Sequence, residues 1–143
     1  MKTFHIIFIF FFIITNLHSD NYKLEWTGDM KFSKRIVYQD KSIFKIVNPK
    51  GYWEDSEGNF GNFNCIGWVK NIEDKESLEV NCEALDNEND KFWVILNRNS
   101  EIGAGVGITT YIDATGKYKK LINRECKYAI NYFQEGFFYK QIC

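Results

Sequence analysis

Short apolar runs separated by polar turns make up most of this chain, and within many of them apolar and polar residues alternate. In LEVNCEAL, residues 78–85, Leu78, Val80, Cys82 and Ala84 share one side, while Glu79, Asn81 and Glu83 share the other. Leu78, Cys82 and Leu85 also stand at helical spacing, but the period of two is the longer match and predicts a strand. Comparable runs predict strands over 31–38, 42–47, 62–69, 77–85, 91–97, 105–112, 124–131 and 136–143, with 21–26 as a further candidate. Turn signals fall between them at Asp40, Pro49 to Gly51, Gly58 to Gly61, Glu73-Asp74, Asp86 to Asp90, Arg98 to Gly103 and Thr115-Gly116. No long linker or low-complexity tract interrupts the series, so residues 20–143 read as a single domain.

Folding neighbouring runs against each other tests this reading. About Glu73-Asp74, Val69 meets Leu78, Gly67 meets Val80, Cys65 meets Cys82 and Phe63 meets Ala84. Every pair puts small or apolar residues on one face, as a register set by one buried face requires. About residues 86–90, Ala84 meets Phe92, Cys82 meets Val94 and Val80 meets Leu96. About Glu101, Leu96 is expected to meet Val106 and Val94 to meet Ile108. About Gln134-Glu135, Cys126 faces Cys143, Tyr128 faces Gln141, Ile130 faces Tyr139 and Tyr132 faces Phe137. Both cysteine pairs thus fall opposite one another, at the roughly 4.5–5.5 Å separation that a disulfide tolerates. The expected bonds are Cys65–Cys82 and Cys126–Cys143. About eight strands sharing one apolar face must hide their edges. A small antiparallel β-barrel, mostly a meander, does that best, with a two-sheet sandwich as the alternative.

The N-terminus follows a different pattern. Lys2 precedes the unbroken apolar run Ile6–Ile14, and Thr15 to Ser19 restore polarity. A basic start, a short apolar core and a small residue near its end predict a secretory signal over 1–19, cleaved after Ser19. As a helix the run would reach only about 14 Å, too short for a membrane anchor. Export, to the medium or a periplasm, agrees with an even number of cysteines. Zinc is the competing use of cysteine, but no CxxC pair occurs.

Composition then narrows the function. The net charge is −1, so the basic footprint of a nucleic-acid binder is missing, and no membrane partner is expected after signal cleavage. Both histidines, His5 and His18, belong to the expected signal. Ser–His and Cys–His nucleophile pairs, histidine metal ligands and a histidine acid–base are therefore excluded from residues 20–143. No cofactor and no metal are expected, and no catalytic motif is found. Oligomeric state is left open.

The series Cys65-x-Gly67, Cys82 with Asp86 and Asp90, Gly105-x-Gly107 and Thr115-Gly116-Lys117-Tyr118 resembles a group of uncharacterised exported bacterial proteins. Their fold is similar to the allene oxide cyclase and dirigent type of β-barrel. The resemblance covers roughly 60–130 and implies a fold. It carries over no catalytic residue.

Other motifs have plainer readings. Asp86-Asn87-Glu88-Asn89-Asp90 opens like a calcium loop, but Lys91 and Asn97 stand where the EF-hand needs glycine and glutamate. A solvated hairpin turn suffices. Thr115-Gly116-Lys117 lacks the first glycine of a phosphate loop, where Tyr111 stands, and Tyr118 replaces its Ser or Thr. Gly51-Tyr52-Trp53 matches a lipocalin tripeptide but stands behind at least two strands. The aromatics Trp26, Trp53, Trp68, Trp93, Tyr52, Tyr111, Tyr128 and Tyr139 either line a small-molecule cavity or fill a small barrel. Glu79 and Glu83 could act as acids or bases, but the register turns both outward.

Two functions remain. The preferred one is a non-catalytic binding module for a small apolar ligand or a protein partner. The alternative is an isomerase or cyclase enclosing an apolar substrate. A buried carboxylate or tyrosine at the barrel mouth would favour the second. An interior filled with side chains would count against both pocket-based readings.

Overall fold

The computed structural model describes residues 21–102 and 105–143; the expected signal lies outside them. Eight strands follow in chain order: β1 Lys23–Val37, β2 Ile43–Asp55, β3 Phe60–Ile72, β4 Lys75–Asp86, β5 Lys91–Glu101, β6 Val106–Ala114, β7 Glu125–Phe133 and β8 Gly136–Ile142. Each pairs antiparallel with the next, and β8 returns to β1, giving a closed barrel with meander order. A 3-10 helix, Gly116–Leu121, joins β6 to β7.

The registers expected for β3–β4, β4–β5 and β7–β8 are those found. Their apolar alternation fixes them, because a slip of one residue would turn every buried side chain outward. The structure contains the disulfides Cys65–Cys82 and Cys126–Cys143, with Cα atoms 4.1 and 4.3 Å apart.

Three expectations are corrected. Residues 21–26 and 31–38 are not separate strands; β1 runs through both, with an irregularity between Phe32 and Lys34. Pro49 to Gly51 is not a turn. β2 continues across it because Gly28 and Gly51 face each other where β1 and β2 touch. A Cβ on Gly28 would lie 2.2 Å from the Lys50 carbonyl oxygen, and one on Gly51 would lie 2.1 Å from that of Thr27. The β2–β3 ladder skips residues 48 and 49, in keeping with a proline that has no N–H to give. The third correction is the β5–β6 register. Leu96 pairs with Thr109 and Val94 with Tyr111, three residues beyond the expected partners. An odd shift exchanges the faces, so Thr109 and Tyr111 are buried while Val106 is 62% exposed. β5 runs on to Glu101 and β6 starts at Val106, and β5 also shifts register between Trp93 and Val94.

The interior is aromatic. Trp26 stacks on Phe63 at 4.4 Å, and Phe92 contacts Trp53, Tyr111 and Tyr118. Of the sequence's candidate lining residues, Trp26, Trp53, Tyr111, Tyr128 and Tyr139 are buried. The others lie outside: Trp68 stacks on Phe44, Trp93 donates its indole N–H to exposed Glu83 and Tyr52 is solvent-exposed. What remains of the central lumen is about 30 Å³, bordered by Trp26, Phe63 and Tyr139. That is room for about one water.

Candidate functional site at the barrel mouth

The two ends of the barrel differ in chemistry. At one end the 3-10 helix closes the lumen, inserting Tyr118 and Leu121. Asp86, at the end of β4, holds it there. Its buried carboxylate accepts the Tyr118 hydroxyl at 3.0 Å, the Lys117 ammonium at 2.9 Å and the backbone N–H groups of Glu88 and Asp90 at 2.8 Å each. Burial pushes this carboxyl up, but the hydrogen bonds outweigh it and hold the group below the usual carboxylate range. Asp90 accepts the Lys117 N–H and the Thr115 hydroxyl. Gly116 is required here: its φ is +45°, and a Cβ would sit 1.9 Å from the Asp90 carboxylate. The segments reminiscent of a calcium loop and a phosphate loop are therefore partners of each other. The cation on the acidic turn is Lys117.

Above this plug runs a buried hydrogen-bond chain. Thr109 and Tyr139 hydroxyls lie 2.5 Å apart; Tyr139 donates to Gln141, and Gln141 donates to Tyr111. The hydroxyl of Tyr22, also buried, donates to Asp55. Burial pushes the phenols of Tyr22, Tyr111 and Tyr139 above their ordinary range, so they stay protonated and serve as neutral links.

The opposite end is open. A hollow of about 610 Å³ lies there, lined by Met30, Phe32, Val69 and Tyr132, with Lys45 and Glu76 among its polar residues. Inward alternation places these residues. On β5 the buried series Phe92, Val94, Leu96 continues to Arg98, and on β4 the series Val80, Leu78 continues to Glu76. Arg98 is buried and its Nη2 pairs with the Glu76 carboxylate. Its Nε and Nη1 have no hydrogen-bond partner, and neither does the Asn71 side-chain oxygen, which faces Glu76 across the β3–β4 pair. Tyr128 is pushed up to about 12 by burial, against the pull of the Arg98 charge. The mouth is thus a hollow of mixed apolar and charged lining, with the buried Arg98 cation beneath one wall.

In fold, the chain is similar to an enzyme from Penicillium herquei known from its crystal structure. The likeness covers 86% of this chain and 96% of that one, with a TM-score of 0.56 and 14% sequence identity. At that identity it speaks for the fold alone. No protein-family model matches the chain, and no curated protein matches its sequence.

Sequence reasoning named neither Arg98 nor Glu76 as a site residue. It ended the strands at 97 and 77, one residue short of each. Extending the same alternation by two positions would have put an arginine and a glutamate on the inner face. Glu79 and Glu83 do face outward, and Glu83 bonds Lys91 and Trp93 there. Among the described residues no group of three His, Cys, Asp or Glu side chains is arranged to hold a metal.

Proposed function

We propose that the protein is a binding module that holds a small apolar molecule in the barrel mouth. The observation that supports this is the mouth itself: a concave hollow of about 610 Å³ in which Met30, Phe32, Val69 and Tyr132 form an apolar strip beside Lys31, Lys45, Glu76, Gln134 and Glu135. Small-molecule sites have this size. The filled lumen counts against both readings that enclose a ligand inside the barrel, so the ligand would sit at the rim, on Met30, Phe32 and Val69. Two disulfides suit such a protein to an oxidising, extracellular or periplasmic compartment.

A second reading, an isomerase or cyclase, draws on one feature. The Glu76 carboxylate shares the mouth with Tyr132, so a proton donor or acceptor stands beside the apolar wall. The similar fold from Penicillium herquei is described as an enzyme.

Titration with N-phenyl-1-naphthylamine, a neutral apolar fluorophore, tests the binding reading. Saturable enhancement in the native protein, lost when Val69→Trp fills the hollow, is expected. Enhancement equal in both proteins would contradict it. If binding is present, Glu76→Gln separates the two readings, since only a catalyst would turn over a bound substrate and lose turnover in this variant while binding persists.

A further inference from the structure

β1 runs past its pairing with β8 bonded to β2 alone, so this β1–β2 ribbon has one free edge, while β2 stays paired with β3 as far as Ile43 opposite Asn71. β8 pairs with β1 only as far as Asp29, and the Met30 N–H makes the last bond to that side, with the Glu135 carbonyl. From Lys31 to Lys41 every residue is exposed. Phe32, Ile36 and Val37 are 58, 53 and 57% exposed, and Tyr38 is exposed with them at the tip. Four large exposed apolar side chains on an edge hairpin are not what a solvated hairpin needs.

Charge concentrates in the same place. Lys31, Lys34, Arg35, Lys41 and Lys45 lie in this ribbon, and Asp40 is its one acidic residue. Among the described residues none of these cations enters an ion pair. Asp40 is occupied by its own turn, where it accepts the Ser42 N–H and hydroxyl at 2.9 and 2.7 Å. Lys45 lies over the Phe32 ring at 5.0 Å. The turn is closed further by the bonds Tyr38 N–H to Ser42 O and Lys41 N–H to Tyr38 O, so the tip is formed in advance of any partner. Lysines on a bare strand edge also discourage edge-to-edge pairing. That role explains the cations but not the apolar residues between them.

We propose that this ribbon docks on an anionic lipid surface, with Ile36, Val37 and Tyr38 entering the headgroup region and the Lys and Arg side chains meeting the lipid phosphates. Basic residues flanking exposed aliphatic and aromatic ones form the pattern that binds anionic interfaces. The net charge of −1 had argued against a membrane partner, but it averages this patch away. Docking in this way would turn the mouth toward the lipid, because Lys31, Phe32 and Lys45 belong to both the ribbon and the hollow. The inference stands without the ligand reading, and failure of either leaves the other intact.

Cosedimentation with mixed phosphatidylglycerol–phosphatidylcholine vesicles is the test, with pure phosphatidylcholine vesicles alongside. The protein should pellet with the anionic vesicles and remain in solution with the neutral ones. Lys34→Glu/Arg35→Glu and Ile36→Ser/Val37→Ser should each weaken binding by about tenfold or more while the melting temperature holds. No pelleting of the native protein would overturn the proposal. So would full binding by the Ile36→Ser/Val37→Ser variant together with retention on polyaspartate, which would indicate an acidic protein partner. A dimer that this variant abolishes, without lipid binding, would overturn it in favour of self-association.

Discussion

The helix-closed end and the open mouth are built from the same eight strands, yet they treat polar groups in opposite ways. At the closed end Asp86 has four partners, and Thr115, Lys117 and Tyr118 are each committed to the β4–β5 turn. At the mouth, Arg98 keeps two buried nitrogens without partners, and Asn71 keeps its oxygen unpaired. Buried polar atoms without hydrogen bonds are destabilising, and a small domain has little stability to spare. The closed end therefore carries the stability and the mouth carries what stability alone would not select. The two disulfides are divided in the same way: Cys126–Cys143 ties the chain's end near Tyr22, while Cys65 borders the lumen beneath the mouth.

Asp86→Ala should break this comparison most severely. It leaves the Tyr118 hydroxyl and two backbone N–H groups without their acceptor, while Lys117 keeps Glu88 and Asn59, and each buried group so stranded costs about 1–3 kcal/mol. Urea unfolding should show this as a lower midpoint, while the folded fraction still binds the apolar fluorophore. The double variant Cys126→Ser/Cys143→Ser comes next, at about 3 kcal/mol by the chain-entropy model. Differential scanning calorimetry should show the drop, and peptide mapping should find Cys65–Cys82 intact.

The mouth should behave differently. Glu76→Leu/Arg98→Leu removes both charges, and replacing a buried pair by apolar residues is often neutral, so stability should stay within about 1 kcal/mol. Glu76→Leu alone, which strands the Arg98 cation, should be the less stable of the two proteins. A double variant as unstable as Asp86→Ala would show that the two ends do not differ.

Acid gives a smaller effect at the closed end. The native Asp86 carboxyl lies below its unfolded value, so its contribution is complete above about pH 4 and is lost as pH falls through the native value. The urea midpoint should hold from neutral pH to about pH 5 and decline below about pH 4. Asp86→Asn should flatten that decline.

The walls of the barrel were legible in the sequence where one face is buried without interruption. From Phe63 to Leu96 the alternation of small and apolar residues leaves one register. Legibility failed at β6, where an inner face of Gly107, Thr109 and Tyr111 looks polar and an outer face of Val106, Ile108 and Ile112 looks apolar. Alternation alone then selects the wrong side. It failed again at Pro49, because a single proline reads as a break although a gap in one ladder accommodates it. The site was hidden for a related reason. Charged residues mark the ends of apolar runs, so Glu76 and Arg98 read as turn flanks, although each continues its strand's inward series. The partnership of Asp86 with Lys117 and Tyr118 spans segments that no hairpin register connects, and only the closed barrel brings them together.

Backbone amide chemical-shift mapping during titration with N-phenyl-1-naphthylamine tests the division of labour most directly. Shifts should cluster at Met30, Phe32, Val69, Glu76 and Tyr132, and residues 115–121 should stay unmoved. Shifts concentrated on the 3-10 helix, or on the outer wall at Tyr52, Phe60 and Phe138, would contradict the account.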